Sequence, residues 1–247
     1  MDPAGRRTLR AQRDLLVFAG WLTLLRACLD YDLGDAGSAD RARIVARTIG
    51  TEAGHGEIIA WSFELSAWFA LTRGQFGSVP GFAEAGTAAA PHSSVVVQLA
   101  AQAAKAHARM GDTRQVHRTL DAGFRLLTRH DRPKRPDNHF VVEPAKWDLH
   151  AMDCYRVLGD DARAVAHADA VLALSRRPDG TEASPMRAAE ARLTHALVAV
   201  RTGDLDAAVA WTNAALAVPR RSVMPLSLLV REVLRPSFPG TPASFGR

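Results

Sequence analysis

The side chains able to do chemistry in this sequence fall into two groups, and neither has a catalytic spacing. Aromatic residues gather early, at Trp21, Tyr31, Trp61 and Trp68, and basic residues later, at Lys105, Arg109, Lys146, Arg156 and Arg201. Trp61 and Trp68 are seven positions apart, two turns along one helical face, with Glu64 between them. Aromatic anchors beside cationic side chains suit a groove for an extended or helical peptide, above all one with acidic groups or a free carboxylate. The same aromatic residues would equally fill the space between neighbouring helices, and at this level both readings stand.

Catalytic and metal-binding patterns are absent. The nine histidines include no H-E-x-x-H, and His150, Asp153 and Cys154 share one helical stretch without a further ligand in sequence. There is no G-x-S-x-G, G-x-x-x-x-G-K or G-x-G-x-x-G, so acyl-transfer, phosphate-loop and dinucleotide chemistry lack their marks. The expectation is a binding protein, not an enzyme, with no cofactor and no metal.

Positioning these side chains falls to helices. The chain has 247 residues, 47% apolar and 23% charged, enough for one domain, or two small ones, with a sizeable core. It contains 45 Ala and 28 Arg against three Lys, a bias toward helix. Two cysteines, Cys28 and Cys154, form no C-x-x-C pair and fit a reducing cytoplasm. The apolar run after the basic first residues is broken by Trp21, Thr23 and Arg26, so it reads as an amphipathic helix and nothing is expected to span a membrane. The net charge of +5 raises a nucleic-acid reading. Against it, the basic residues are dispersed, clustering only at Arg6, Arg7, Arg10 and Arg13 and again between Arg129 and Arg135.

A fivefold repeat organises the chain. A helical stretch, a Gly, usually an Asp and a second helical stretch recur at Gly34, Gly74, Gly111, Gly159 and Gly203. Gly takes the left-handed conformation that closes a helix, and Asp caps the next one. Seven residues before each Gly stand Ala27, Ala67, Ala104, Met152 and Ala196, small in four cases, as close helix crossing requires. The register predicts first helices over 13–33, 56–73, 93–110, 143–158 and 184–202. Their partners fall over 36–52, 76–89, 113–129, 161–176 and 205–218, with a capping helix over 225–234. Residues 1–12 read as a basic N-terminal segment, 13–235 as the helical array and 236–247 as a flexible tail. The connection 130–142, with Pro133 and Pro136, is a candidate hinge.

A small residue, seven steps to Gly, five to Ala and seven more to Ala (Ala196, Gly203, Ala208, Ala215) resembles the tetratricopeptide (TPR) repeat. Spacings here are longer and uneven, so the repeats are degenerate. The order of segments, from RDLLVFAGWLTLLRACLDYDLGD to NHFVVEPAKWDLHAMDCYRVLGD, is similar to the C-terminal TPR-like region of actinobacterial XRE-family transcriptional regulators. In that family a helix-turn-helix DNA-binding domain precedes this region, whereas about a dozen residues precede it here.

The resemblance implies an all-α solenoid of about five degenerate TPR-like pairs. It also implies a role as the sensing and interaction part of a regulator, the alternative being a free-standing adaptor. In such an array the first helices line the concave groove, at positions thirteen, ten, six and three before each Gly. These positions include Trp21 and Tyr31, then Trp61, Glu64 and Trp68, then Gln98 and Lys105, then Lys146, Leu149, Asp153 and Arg156, then Glu190; Arg109 and Arg201 lie two before their Gly. The expected occupant is a peptide, a protein or a small anionic ligand, and the chain itself is a candidate homodimer. Sequence-specific DNA binding is not expected, because the helix LDAAVAWTNAALAV has no Arg or Lys for a DNA groove. The more basic TRQVHRTLDAGFRLLTRH places Val116, Leu120, Phe124 and Leu127 on one buried stripe.

Overall fold

All five repeat glycines adopt positive φ, between 76° and 90°, and each lies between two helices. The computed structural model describes residues 8–131, 133–135 and 138–217. Among them run ten α-helices: α1 (Leu9–Asp32), α2 (Ala36–Glu52), α3 (Gly56–Thr72), α4 (Val79–Ala89), α5 (Val95–Arg109), α6 (Thr113–Leu127), α7 (Ala145–Leu158), α8 (Asp161–Ser175), α9 (Pro185–Thr202) and α10 (Leu205–Leu216). No strand is present among the described residues; one isolated bridge joins Arg176 to Glu182. The predicted capping helix and the tail lie outside the described residues, as do residues 1–7.

Local chemistry explains where helices begin. Asp35, Asp112, Asp160 and Asp204 each accept a hydrogen bond from the backbone N–H three residues on, at 2.9 to 3.2 Å, satisfying an otherwise orphaned donor. The second repeat has Gln75 in that place, with no side-chain cap, and a short 3-10 turn, Phe76–Ser78, precedes α4. At the other end of the chain, α1 starts four residues before the expected Arg13 because the Thr8 hydroxyl caps Ala11. Gly54, at φ +60°, closes α2, and the His55 ring nitrogen caps α3.

The helices pack as neighbouring antiparallel pairs. α1, α3, α5, α7 and α9 pack on one another in succession, while α2, α4 and α8 each fill the gap between the two odd helices beside them. The residues seven before each Gly sit at these crossings: Ala27, Ala67, Ala104 and Met152 are fully buried and Ala196 is 6% exposed. One junction differs. Against the preceding pair α7 packs chiefly on α5 and scarcely on α6, where Trp147 from α7 covers Gly123 of α6. The buried stripe of α6 is accordingly Val116, Leu120, Gly123 and Leu127. Phe124, expected inside, is 52% exposed, because the glycine one position earlier takes the inward place.

The end of the connection before α7 is tied down. Phe140 rests its ring on Trp21 and Trp61, with centroids 5.1 and 5.4 Å apart, and Val142 is buried. The segment leading into the fourth pair thereby touches the first helices of the first two.

Candidate functional site

α3, α5, α7 and α9 place side chains around one cavity of about 240 Å³. α3 contributes Trp61, Glu64, Leu65, Trp68 and Leu71; α5 contributes Gln98, Gln102 and Lys105. α7 contributes Lys146, Leu149, His150, Asp153 and Arg156, α9 contributes Glu190, and His139 reaches in from the connection before α7. Tryptophan and leucine make up one part of the lining, and ionisable groups and amides the rest.

Hydrogen bonds fix the polar part. The Glu64 carboxylate accepts from Gln102 Nε2 at 2.7 Å and from Gln98 Nε2 at 3.3 Å. Gln98 therefore turns its oxygen to His150 Nε2, 3.2 Å away. That contact assigns the histidine proton to Nε2 and leaves Nδ1 as an acceptor. His150 Nδ1, Gln102 Oε1 and the Trp61 indole nitrogen are buried without a hydrogen-bond partner, each on a side chain that lines the cavity and is at most 6% exposed.

The charges divide into committed and uncommitted. Asp153 holds two guanidinium groups: Arg109 grips it at 2.8 and 3.1 Å, and Arg156 binds Oδ1. Burial alone would raise the Asp153 pKa, but Arg109 and Arg156 keep it well below the usual carboxylate range. Arg156 is 1% exposed and also donates to Thr194. The Lys146 ammonium donates to the Val141 carbonyl at 3.0 Å, and burial followed by the charge of Arg187 depresses its pKa. Lys105 and Glu190 differ: among the described residues neither side chain has an ion pair, and they are out of contact with each other. Burial raises the pKa of Glu190, with Lys105 the strongest opposing charge, and burial likewise raises that of Glu64 against its glutamine hydrogen bonds.

The register residues thus meet unequal fates. Trp61, Glu64, Trp68, Lys105, Lys146 and Arg156 come together at the cavity. Trp61 is a core residue at 4% exposure, whereas Trp68 is half-buried and meets Tyr31 edge to face. Tyr31, 1% exposed, stacks on Phe69 and shares a hydrogen bond with Thr72, so it backs the cavity without lining it. Trp21 borders a separate hollow with Phe140 and Glu57. Arg109 is not among the lining residues; its charge is spent on Asp153. Arg201 pairs with Asp161 and donates to the Arg156 carbonyl, away from the cavity.

The register groups missed one inward position. Leu65, Gln102 and His150 all stand nine before their Gly and all line the cavity. His150, Asp153 and Cys154, weighed as ligands, go separate ways: His150 to Gln98, Asp153 to its arginines, and Cys154 fully buried with its thiol pushed up to about 12 by burial and by Asp153.

In comparisons with known proteins, no family model matches the chain and no curated protein is significantly similar to it. Among the described residues, no helix is long and apolar enough to cross a membrane.

Proposed function

We propose that the protein is a non-enzymatic ligand-binding module, a degenerate TPR-like solenoid that senses a small molecule in the cavity between α3, α5, α7 and α9. The observation that carries this reading is the cavity itself, where four first helices and His139 converge and where Lys105 and Glu190 remain uncommitted. Ligand sites are concave, largely apolar, and oriented by a few polar groups. A volume of about 240 Å³ suits a small molecule better than a peptide. Raised carboxyl pKa values also occur in acid–base catalysis. Here Glu64 is engaged by two glutamines and the His150 proton by Gln98, which favours binding over proton transfer. The sensing role in a transcriptional regulator rests on the resemblance alone, whereas the expectation that this chain reads no DNA sequence rests on the absence of Arg and Lys from LDAAVAWTNAALAV and on the apolar stripe of TRQVHRTLDAGFRLLTRH.

The test is a thermal melt in the presence of the dialysable small-molecule fraction of a source-cell extract. The wild type should rise in Tm, while Leu149→Trp, which fills the cavity from α7, should keep its helical circular dichroism and show no rise. Equal responses of the two proteins, or no response from the wild type, would overturn the reading.

A further inference from the structure

We infer that the cavity takes a small zwitterion, a molecule with a carboxylate and an ammonium on one compact apolar skeleton, the carboxylate set on Lys105 and the ammonium on Glu190. This rests on the binding role proposed above and names the class of ligand.

The charge inventory of the cavity leads there by elimination. Asp153 is paired with Arg109 and Arg156, Glu64 is held by two amide donors, and Lys146 is bound to the Val141 carbonyl. His150, buried between Lys105 and Lys146, is kept neutral by burial and by those two ammonium groups; burial also lowers the His139 pKa. One ammonium, Lys105, and one carboxylate, Glu190, are left facing the same space without touching. Both side chains are partly buried, and a charge drawn partly out of water without a partner is costly. An anionic ligand would satisfy Lys105 and set a second negative charge near Glu190. A cation would satisfy Glu190 and leave Lys105 bare, and a neutral molecule would help neither. Only a ligand carrying both signs completes the set.

A second observation points the same way. The Trp61 indole N–H, the Gln102 carbonyl oxygen and His150 Nδ1 are a buried donor and two buried acceptors with nothing to bond. A ligand carboxylate has more lone pairs than Lys105 can use, and an ammonium cannot aim all three of its protons at the one carboxylate of Glu190. The spare donor and the spare acceptors match that surplus in kind. The rest of the lining, Trp61, Trp68, Leu65, Leu71 and Leu149, is apolar and suits a hydrocarbon or aromatic side chain. The cavity exceeds the ~150 Å³ that accommodates benzene and falls below the ~300 Å³ at which drug-sized sites begin. Its occupant therefore has on the order of ten heavy atoms, the scale of an apolar amino acid.

The test uses the full chain and three probes, L-leucine, L-phenylalanine and L-tryptophan, each beside its N-acetyl derivative, which keeps only the negative charge, and its amide, which keeps only the positive. Calorimetric titration should find at least one free amino acid that binds. Its N-acetyl and amide forms should each bind on the order of tenfold more weakly or worse, the range expected for leaving a partly buried charge unpaired. Lys105→Met should abolish the preference for a free carboxylate, and Glu190→Gln the preference for a free amine. The ligand comparison needs no variant, so a misfolded variant does not leave the idea untested. If an N-acetyl form binds as tightly as its parent, or if none of the three amino acids binds, the zwitterion assignment fails. The cavity-binding role would then still be judged separately by the extract melt and its Leu149→Trp control.

Discussion

Arg109 on α5 and Asp153 on α7 meet in a two-point ion pair, Nη1 to Oδ2 at 2.8 Å and Nη2 to Oδ1 at 3.1 Å, with side chains only 5% and 9% exposed. It fastens the third repeat to the fourth where α6 gives α7 little support. Its energetic signature should be that of a buried pair, costly to break from one side. Arg109→Met should lower unfolding free energy by about 3 kcal/mol, and Asp153→Ala, which takes the carboxylate from two guanidinium groups at once, by about 5 kcal/mol. Arg109→Glu, which would look harmless on a solvent-exposed groove, sets two carboxylates together and should destabilise at least as much. Lys105→Met, which breaks no ion pair, should stay within about 1 kcal/mol of wild type. Urea denaturation of the four variants checks this, and equal effects of Arg109→Met and Lys105→Met would refute the division between committed and uncommitted charge.

Gly123 and Trp147 form the other contact across that junction. A Cβ placed on Gly123 would come within 2.4 Å of the Trp147 ring and 3.2 Å of the Ala100 methyl. Gly123→Ala should therefore cost about 1–3 kcal/mol as overpacking, despite the better helix propensity of Ala. Shortening the partner should relieve it. The double variant with Trp147→Leu is expected to be at least about 1 kcal/mol more stable than the sum of the single effects, whereas strict additivity would show that the two positions do not share a gap.

Gly111 isolates the cost of the turn conformation. Its φ is +76°, and a Cβ there would meet nothing within 4 Å. Gly111→Ala should lose about 1–2 kcal/mol through backbone strain alone, and Gly111→Asn less, because Asn enters the left-handed region more readily. A neutral Gly111→Ala in a thermal melt would remove the physical basis of the repeat register.

The turns were legible in the sequence because Gly and Asp act locally: one frees the backbone, the other caps within three residues. That register put Trp61, Glu64, Trp68, Lys105, Lys146 and Arg156 on inward positions, and all six line the cavity, but it put Trp21 and Tyr31 there too, which do not. Pairing was not legible. Arg109 and Asp153 are 44 residues apart, about the length of one repeat, and nothing in either helix says that α7 leans on α5 while leaving α6. The same shift explains Phe124, since a period of 3.6 fits either Gly123 or Phe124 and only the Trp147 ring decides between them. Tyr31 illustrates a third limit: its face was read correctly, but Phe69 and Thr72 cover it.

His150 offers a pH test of the site. Burial, with Lys105 and Lys146 adding to it, holds its folded pKa well below the ordinary 6.5. In the unfolded chain the imidazole takes up a proton near pH 6.5, while in the folded chain it stays neutral. The unfolded state then binds more protons, so this residue's contribution is complete above pH 6.5 and declines as pH falls below it, by up to about 1.4 kcal/mol per unit. Glu64 and Glu190 act in the opposite sense. Their folded pKa values are raised from 4.5, so the folded state takes up protons first, and the burden of burying their charge is relieved as pH falls toward 4.5. Total stability mixes the two trends, and a difference measurement separates them. His150→Gln keeps a donor for Gln98 and does not titrate. Between pH 8 and pH 5 the wild type should lose stability relative to His150→Gln, with the onset near pH 6.5. A gap between the two proteins that is constant over that range would mean that His150 titrates alike folded and unfolded, and so that the cavity wall does not exclude water from it.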